Sequence, residues 1–303
     1  MGHDQFEDPT RRAVMAGGTA AVLAATYGGA MAQPNEINRM GGAALAAAIR
    51  AKKISAREAM AACLDRIAAV NPAINTVVSM PPRDALIAEA AAADDAQARG
   101  AALGPLHGLP HAVKDLQPVK GMRFTAGSPI YKDRIAAADS LMVERLRKAG
   151  VIFVGKTNTP EFGFGSHTFN PVFGATHNPY DHGRSAGGSS GGAAAALASR
   201  MVPLADGSDY GGSLRNPAGW NNVFGFRTSF GVVPAAGPEV WLAGMGVQGP
   251  MARSVEDLAL LLSVQAGYDP RSPLSLSGDG TKYRQNLDAP VKGRRIGWLG
   301  DFG

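Results

Sequence analysis

The chain has 303 residues, room for about two average domains or one large one. Its 45% apolar and 18% charged residues exclude a disordered polypeptide, and a single cysteine excludes both an internal disulfide framework and a cysteine-based structural zinc site. The net charge is +5, and the basic residues lie scattered rather than in runs, so charge alone gives no argument for nucleic acid.

The first 32 residues read as an address rather than as part of a fold. Arg11-Arg12 precedes an uncharged stretch from Ala13 to Ala32 that ends in the small-x-small run Ala30-Met31-Ala32, the pattern of a cleaved export signal. Four glycines and two threonines make the stretch too weakly apolar for a stable membrane span. The arginine pair resembles a twin-arginine signal, with Val14-Met15 departing from the rest of that motif, and implies a periplasmic protein. The alternative is a cytoplasmic protein with an incidental arginine pair. Without these residues, which hold two Arg and three acidic side chains, the remainder carries +6.

From Gln33 onward helical and extended patterns alternate. Ser55-x-x-Glu58 is a capping box, followed by Met60, Cys63, Leu64 and Ile67 on one helical face, with Asn71-Pro72 as the stop. Cys63 on that face reads as a small buried hydrophobe. A second helix spans Arg83 to Arg99. His107 to Asp115 reads as a strand with a charged end. Asp139 or Ser140 caps a helix running to Gly150, Val151 to Val154 is a short buried strand, and another helix runs from Ser254 to Gly267. This alternation predicts an α/β fold, a large domain over 33–303 with a mixed sheet covered by helices on both faces. Arg295 to Gly300 reads as a strand just opening before the sequence stops, which predicts a fold incomplete at its C-terminal end.

Residues 184–192, Arg-Ser-Ala-Gly-Gly-Ser-Ser-Gly-Gly, enter an alanine-rich helix, and free N–H groups at such an entry suit an anion or an oxyanion. A phosphate loop needs a Gly-Lys-Ser/Thr that is missing here. Gly187 to Gly191 fits the nucleophile-elbow pattern, but that fold needs a strand directly before the serine and a histidine after it, and all six histidines precede Ser189. A third reading uses Gly207-Ser208-Asp209-Tyr210-Gly211-Gly212-Ser213-Leu214-Arg215. Ser213 follows two glycines that let backbone N–H groups turn inward, and Lys114, ending an apolar strand, is a base that desolvation would hold neutral.

Three blocks, Ala112-Val113-Lys114-Asp115, Gly187 to Gly192 and Asp209 to Arg215, resemble the amidase signature family in order and spacing. Further matching runs lie at Gly155 to Phe162 and Gly249 to Arg253. The resemblance implies a Ser–Ser–Lys triad that cleaves carboxamides through an acyl-enzyme, with no metal and no cofactor. Ser213 would be the nucleophile, Ser189 the bridge after a cis peptide bond from Gly188, and Lys114 the base. The N–H groups of Tyr210, Gly211, Gly212 and Ser213 would form the oxyanion hole. Ser190 would support the site by hydrogen bonding, Asp209 and Arg215 would hold the nucleophile loop, and Gly163 with Gly165 would line the acyl pocket. The mechanism needs a neutral Lys114, so Asp115 must point elsewhere. His167, His177 and His182 lack metal-ligand spacing and read as loop hydrogen-bonding groups. Trp220 and Trp241 read as core residues, with a pocket wall as the alternative. Tyr210 departs from the smaller side chain frequent in the family.

The implied partner is a small amide, with no nucleic acid and no membrane span; the oligomeric state, a homodimer included, stays open. Two rivals remain: the glutaminase subunit of a tRNA-dependent amidotransferase, and a non-catalytic relic or binding module.

Overall fold

The computed structural model describes residues 34–236, 245–295 and 297. Residues 1–32, expected to be an export signal, Trp241 and most of the strand expected at 295–300 lie outside them. In chain order the elements are α1 (Pro34–Arg39), α2 (Gly42–Arg50), α3 (Ala56–Ile74), β1 (Val77–Ser79), α4 (Arg83–Ala98), β2 (Pro110–Lys114), α5 (Leu141–Lys148) and β3 (Ile152–Thr157). There follow β4 (Phe169–Asn170), β5 (Gly174–Ala175), α6 (Gly191–Ala198), β6 (Leu204–Asp209), α7 (Arg215–Trp220), β7 (Phe224–Gly225), β8 (Val247–Ala252) and α8 (Val255–Gln265).

Six strands form one mixed sheet in the order β1-β3-β2-β6-β8-β7. The central strands β3, β2 and β6 are parallel, and β1, β8 and β7 add antiparallel partners. Successive side chains on a strand face opposite ways, and two apolar clusters follow from that alternation. Leu109, Val113, Phe153 and Leu204 pack with Ile49 of α2, Leu146 of α5 and Leu261 of α8. Ala112, Val154, Ala205 and Met251 pack with Met60 and Leu64 of α3, Leu86 of α4 and Leu197 of α6. The sheet is covered on both faces, as the alternation of elements predicts.

Local signals place several helix ends. The Ser55–Glu58 capping box forms in both directions and starts α3. Ser140 rather than Asp139 caps α5, since its Oγ accepts the Val143 N–H, while Asp139 takes the Lys120 N–H and the Arg147 guanidinium. Ser254 caps α8 through the Asp257 N–H. Cys63 is buried, and burial pushes its thiol up to about 12.

Two boundaries differ from expectation. α3 does not stop at Asn71-Pro72 but runs through Pro72 to Ile74. The proline removes one N–H in the last turn only, and Asn71 makes the exit itself: its Oδ1 accepts the N–H of Thr76 at 2.7 Å and of Val77 at 2.9 Å, with Asn75 in the left-handed region at φ 53°. β2 begins at Pro110 rather than His107, because Leu106 to Leu109 form a turn in which Gly108 takes φ 74°. Among the described residues no helix is long and apolar enough to cross a membrane.

Candidate active site

β2 carries Lys114 to the C-terminal end of the sheet between β3 and β6, where its side chain is fully buried. The amine Nζ lies 2.8 Å from Ser189 Oγ, 2.8 Å from Ser190 Oγ and 2.9 Å from Ser208 Oγ. An ammonium would donate to all three hydroxyls, whereas a neutral amine donates twice and accepts once. The Ser190 hydroxyl also lies 3.3 Å from the Ser208 carbonyl oxygen, and each of the three hydroxyls, of Ser189, Ser190 and Ser208, stands at a distance from which it can supply the proton for that accepting site. Burial lowers the Lys114 amine to about 7, against the opposing pull of the Asp206 and Asp209 carboxylates.

The two serines next to the amine arrive on the loop that enters α6. The peptide bond between Gly188 and Ser189 is cis. A Cβ at Gly188 would stand 2.8 Å from the His167 backbone nitrogen, and one at Gly192 would overlap the Asn158 backbone. These glycines let the first turn of α6 press against its neighbours and bring Ser189 and Ser190 over the end of β2.

Ser213 lies beyond β6 on a loop fixed by a buried carboxylate. Asp209 accepts the N–H of Gly212 at 2.8 Å and of Leu214 at 3.1 Å, and pairs with Arg215 at 3.0 Å and Arg227 at 2.8 Å. Burial opposes the Asp209 charge, but the Arg215 guanidinium and the two backbone donors outweigh it and hold the carboxyl well below its ordinary range. This corrects one expectation: the Gly212 N–H is spent on Asp209. The N–H groups of Tyr210, Gly211 and Ser213 make no hydrogen bond among the described residues.

Ser189, Ser208 and Ser213 line one cleft of about 820 Å³, together with Leu116, Phe162, Gly163, Phe164, Gly165, Tyr210 and Gly211. Gly163 takes φ 76°, and a Cβ there would press 2.6 Å from Leu116 Cδ1 and 3.7 Å from Ser189 Oγ. The hydroxyls of Ser189 and Ser213 share the cleft but are not hydrogen-bonded to each other.

Asp115 turns away from the amine. It accepts the Thr125 N–H at 3.2 Å and the Thr125 hydroxyl at 2.5 Å, and lies 3.8 Å from Lys156 Nζ. Burial pushes its carboxyl up, against Lys156 and the Thr125 donors. Lys156 is itself fully buried, donates to the Gln117 carbonyl, and is lowered by burial to about 8.

His167 bonds Ser185 Oγ at 2.8 Å, and His177 pairs with Ser185 in a backbone bridge. Among the described residues no cluster of His, Cys, Asp or Glu is arranged to hold a metal. Trp220 is not a core residue: it is half exposed, with its ring 5.7 Å from that of His167, because α7 turns its last residue outward. Tyr210 is exposed on the cleft wall, and its hydroxyl donates to Met245 Sδ at 3.1 Å.

The sequence motifs assign no role to four residues near the amine or the neighbouring loop: Ser208, Arg227, His111 and Asp206. The signal for Ser208 lies in the pairing of β2 with β6, which sets the end of one strand beside the end of the other.

A mixed α/β sheet with a buried lysine under serine hydroxyls at the floor of a cleft defines a class of site, and the likeness to known proteins places the chain within it. The chain belongs to the amidase family, whose model matches residues 58–303. It is 44% identical over 259 residues to a subunit of the glutamyl-tRNA(Gln) amidotransferase of Thiobacillus denitrificans, covering 86% of this chain and 53% of that protein. It is 41% identical over 263 residues to an acylamidase of Rhodococcus erythropolis, covering 86% and 54%. Among solved structures, a bacterial aryl acylamidase of the amidase signature family superposes with a TM-score of 0.77 at 36% identity, covering 82% of this chain and 52% of that one. The chain thus spans about half the length of the relatives it matches.

Proposed function

We propose that this chain carries the catalytic centre of an amidohydrolase that cleaves a carboxamide to a carboxylic acid and ammonia or an amine. The observation that carries the reading is the buried Lys114 amine 2.8 Å from Ser189 Oγ, at the floor of the cleft that Ser213 lines. Ser213 Oγ attacks the carbonyl carbon, its proton passes to Ser189 Oγ, and the Ser189 proton passes to the neutral Lys114 amine. The tetrahedral oxyanion is met by the free N–H groups of Tyr210, Gly211 and Ser213. On collapse the C–N bond breaks, the leaving nitrogen takes a proton from Ser189, and Lys114 restores it. Water repeats the sequence on the acyl-enzyme, releasing the acid and regenerating Ser213.

Ser190 and Ser208 hold the amine in line, and Asp209 with Arg215 and Arg227 holds the oxyanion loop. The acyl group rests against Leu116, Phe162, Phe164 and Tyr210, with Gly163 leaving room beside Ser189. An apolar or aromatic acyl group suits those walls. Turnover of an aryl amide, together with covalent labelling by a fluorophosphonate, tests the reading. Both are expected in the encoded chain and absent in Ser213→Ala; turnover that survives in the variant overturns the assignment.

A second reading is the amide-donating subunit of a tRNA-dependent amidotransferase, favoured by the 44% identity to one component of such an enzyme. Glutaminase activity that appears only with added partner subunits would favour it. The export pattern at 1–32 supports the periplasmic hydrolase instead, and fractionation of the expressed protein separates the two.

A further inference from the structure

Behind Lys114 lies a second buried polar pair that the reaction above does not use. His111 and Lys114 are three residues apart on β2, so their side chains leave opposite faces of the sheet. His111 Nε2 stands 3.1 Å from Asp206 Oδ1, and both side chains are fully buried. The imidazole meets the Phe153 ring edge-on at 6.3 Å, and its Nδ1 has no partner among the described residues.

The other carboxylate oxygen, Asp206 Oδ2, accepts the Lys114 backbone N–H at 3.3 Å. That bond stands where the ladder between β2 and β6 gives out. The strands pair at His111 with Leu204 and at Ala112 with Ala205, and no further. A side-chain carboxylate therefore takes the place of a backbone carbonyl for the residue that bears the amine. An asparagine would satisfy that N–H without burying a charge, and burying a charge is expensive. What the carboxylate adds is its field.

Three carboxylates surround the two buried lysines. Asp209 is matched by the guanidiniums of Arg215 and Arg227, and Asp115 is paired with Lys156. Asp206 has only an imidazole beside it, so its charge reaches the Lys114 amine least cancelled. The field acts on both amines, opposing the effect of burial at Lys114 and at Lys156.

We propose that His111 and Asp206 form a buried positioning pair: Asp206 anchors the end of β2 and its charge sets the pH at which the Lys114 amine becomes a base, while the His111 ring tempers that charge. Neither residue touches substrate. The inference rests on the reading of Lys114 as the base.

The test is the pH dependence of fluorophosphonate labelling of Ser213, with kcat/KM in parallel, in the encoded chain and in Asp206→Asn, His111→Phe and Lys114→Ala. Asp206→Asn keeps the shape and removes the charge, so the acid-side midpoint falls by about one pH unit. His111→Phe fits a ring against Phe153 and strips the carboxylate of its partner, so the midpoint rises by about half a unit. A merely structural pair would lower the rates and leave the midpoints in place. Midpoints that stay fixed, or that move the same way in both variants, overturn the proposal. If the Asn variant does not fold, the Phe variant decides alone. Labelling that is unchanged in Lys114→Ala would show that the base itself is wrongly assigned. Loss of labelling there, with fixed midpoints in the other two, removes only the pair.

Discussion

Replacing Lys114 with methionine should abolish activity and yet stabilise the fold at neutral pH, by an amount that shrinks as the solution becomes alkaline. The amine is ordinary in the unfolded chain at 10.5 and is lowered by burial to about 7 in the native one. Between these values the unfolded chain binds the extra proton, so the native state gains stability as pH rises from about 7 to about 10.5. At pH 7 the folded protein carries a penalty of about 4 kcal/mol for keeping the amine neutral, and at pH 10 a penalty of only about 1 kcal/mol. Methionine has a similar volume and no such penalty. It also leaves Ser189 and Ser208 facing the cleft without the amine, a loss of about 1 kcal/mol that does not vary with pH. Urea unfolding of both proteins at pH 7 and pH 10 isolates the titration, because every other ionisable group cancels in the comparison. The advantage of the variant should be about 3 kcal/mol larger at pH 7 than at pH 10. An advantage equal at the two pH values would refute the claim that burial holds this amine neutral.

The same titration gives kcat/KM an acid limb with its midpoint near pH 7, falling about tenfold per unit below it as the amine takes up a proton, and a pH–rate profile reads it directly. Ser208→Ala removes one of the three hydroxyls around the amine without touching the proton path, so kcat should fall about tenfold, against a fall of about a thousandfold or more for Ser189→Ala; steady-state kinetics on one amide compares them. Asp209→Asn releases the Gly212 and Leu214 N–H groups from a charged acceptor and loosens two guanidiniums, so labelling of Ser213 should slow about a hundredfold. Gly192→Ala forces a methyl into the Asn158 backbone and displaces the turn that carries Ser189 and Ser190, so it should cost about 2 kcal/mol or more, seen as a lower Tm, and slow the labelling of Ser213 as well.

The features legible in the sequence are those whose cause is local. A capping box needs only Ser55 and Glu58, and the caps of α5 and α8 need a serine before a helical apolar pattern. The blocks around Lys114, Ser189 and Ser213 are readable as motifs; Ser189 and Ser213 line one cleft, and the buried Lys114 amine lies 2.8 Å from Ser189 Oγ. What escapes such reading depends on neighbours far along the chain. The Asp206 bond to the Lys114 N–H joins residues 92 apart, and the Ser208 bond to its amine joins residues 94 apart. No periodicity announces either, because both follow from β2 and β6 lying side by side. Pro72 misleads in the opposite direction: it is a strong local stop signal, overridden by an asparagine that supplies acceptors for the chain leaving the helix. Glycine pairs before a serine suit an oxyanion, which makes the Gly212 N–H look like a free donor. The Asp209 carboxylate three residues earlier claims it first, and that competition is visible only once the loop has a shape.

The placement of charge bears on how a lysine would serve as the base of the proposed reaction. Burial by itself would push the amine ever lower, until it was free at every pH but too weak a base to draw a proton from a serine. Bare carboxylates at its side would do the reverse and lock it as an ammonium. The site sits between these extremes because its carboxylates are unequally matched. Asp209 is neutralised by two guanidiniums and spends its lone pairs on the oxyanion loop, Asp115 is turned toward Thr125 and Lys156, and Asp206 is left with an imidazole. The Asp206 charge, followed by that of Asp209, set against full burial leaves the amine at about 7, close to the pH at which a base is both free and strong enough to act. On this view the strength of the base is set by residues that never meet substrate, and sequences that keep the three triad positions but change the partner of Asp206 should work at a different pH.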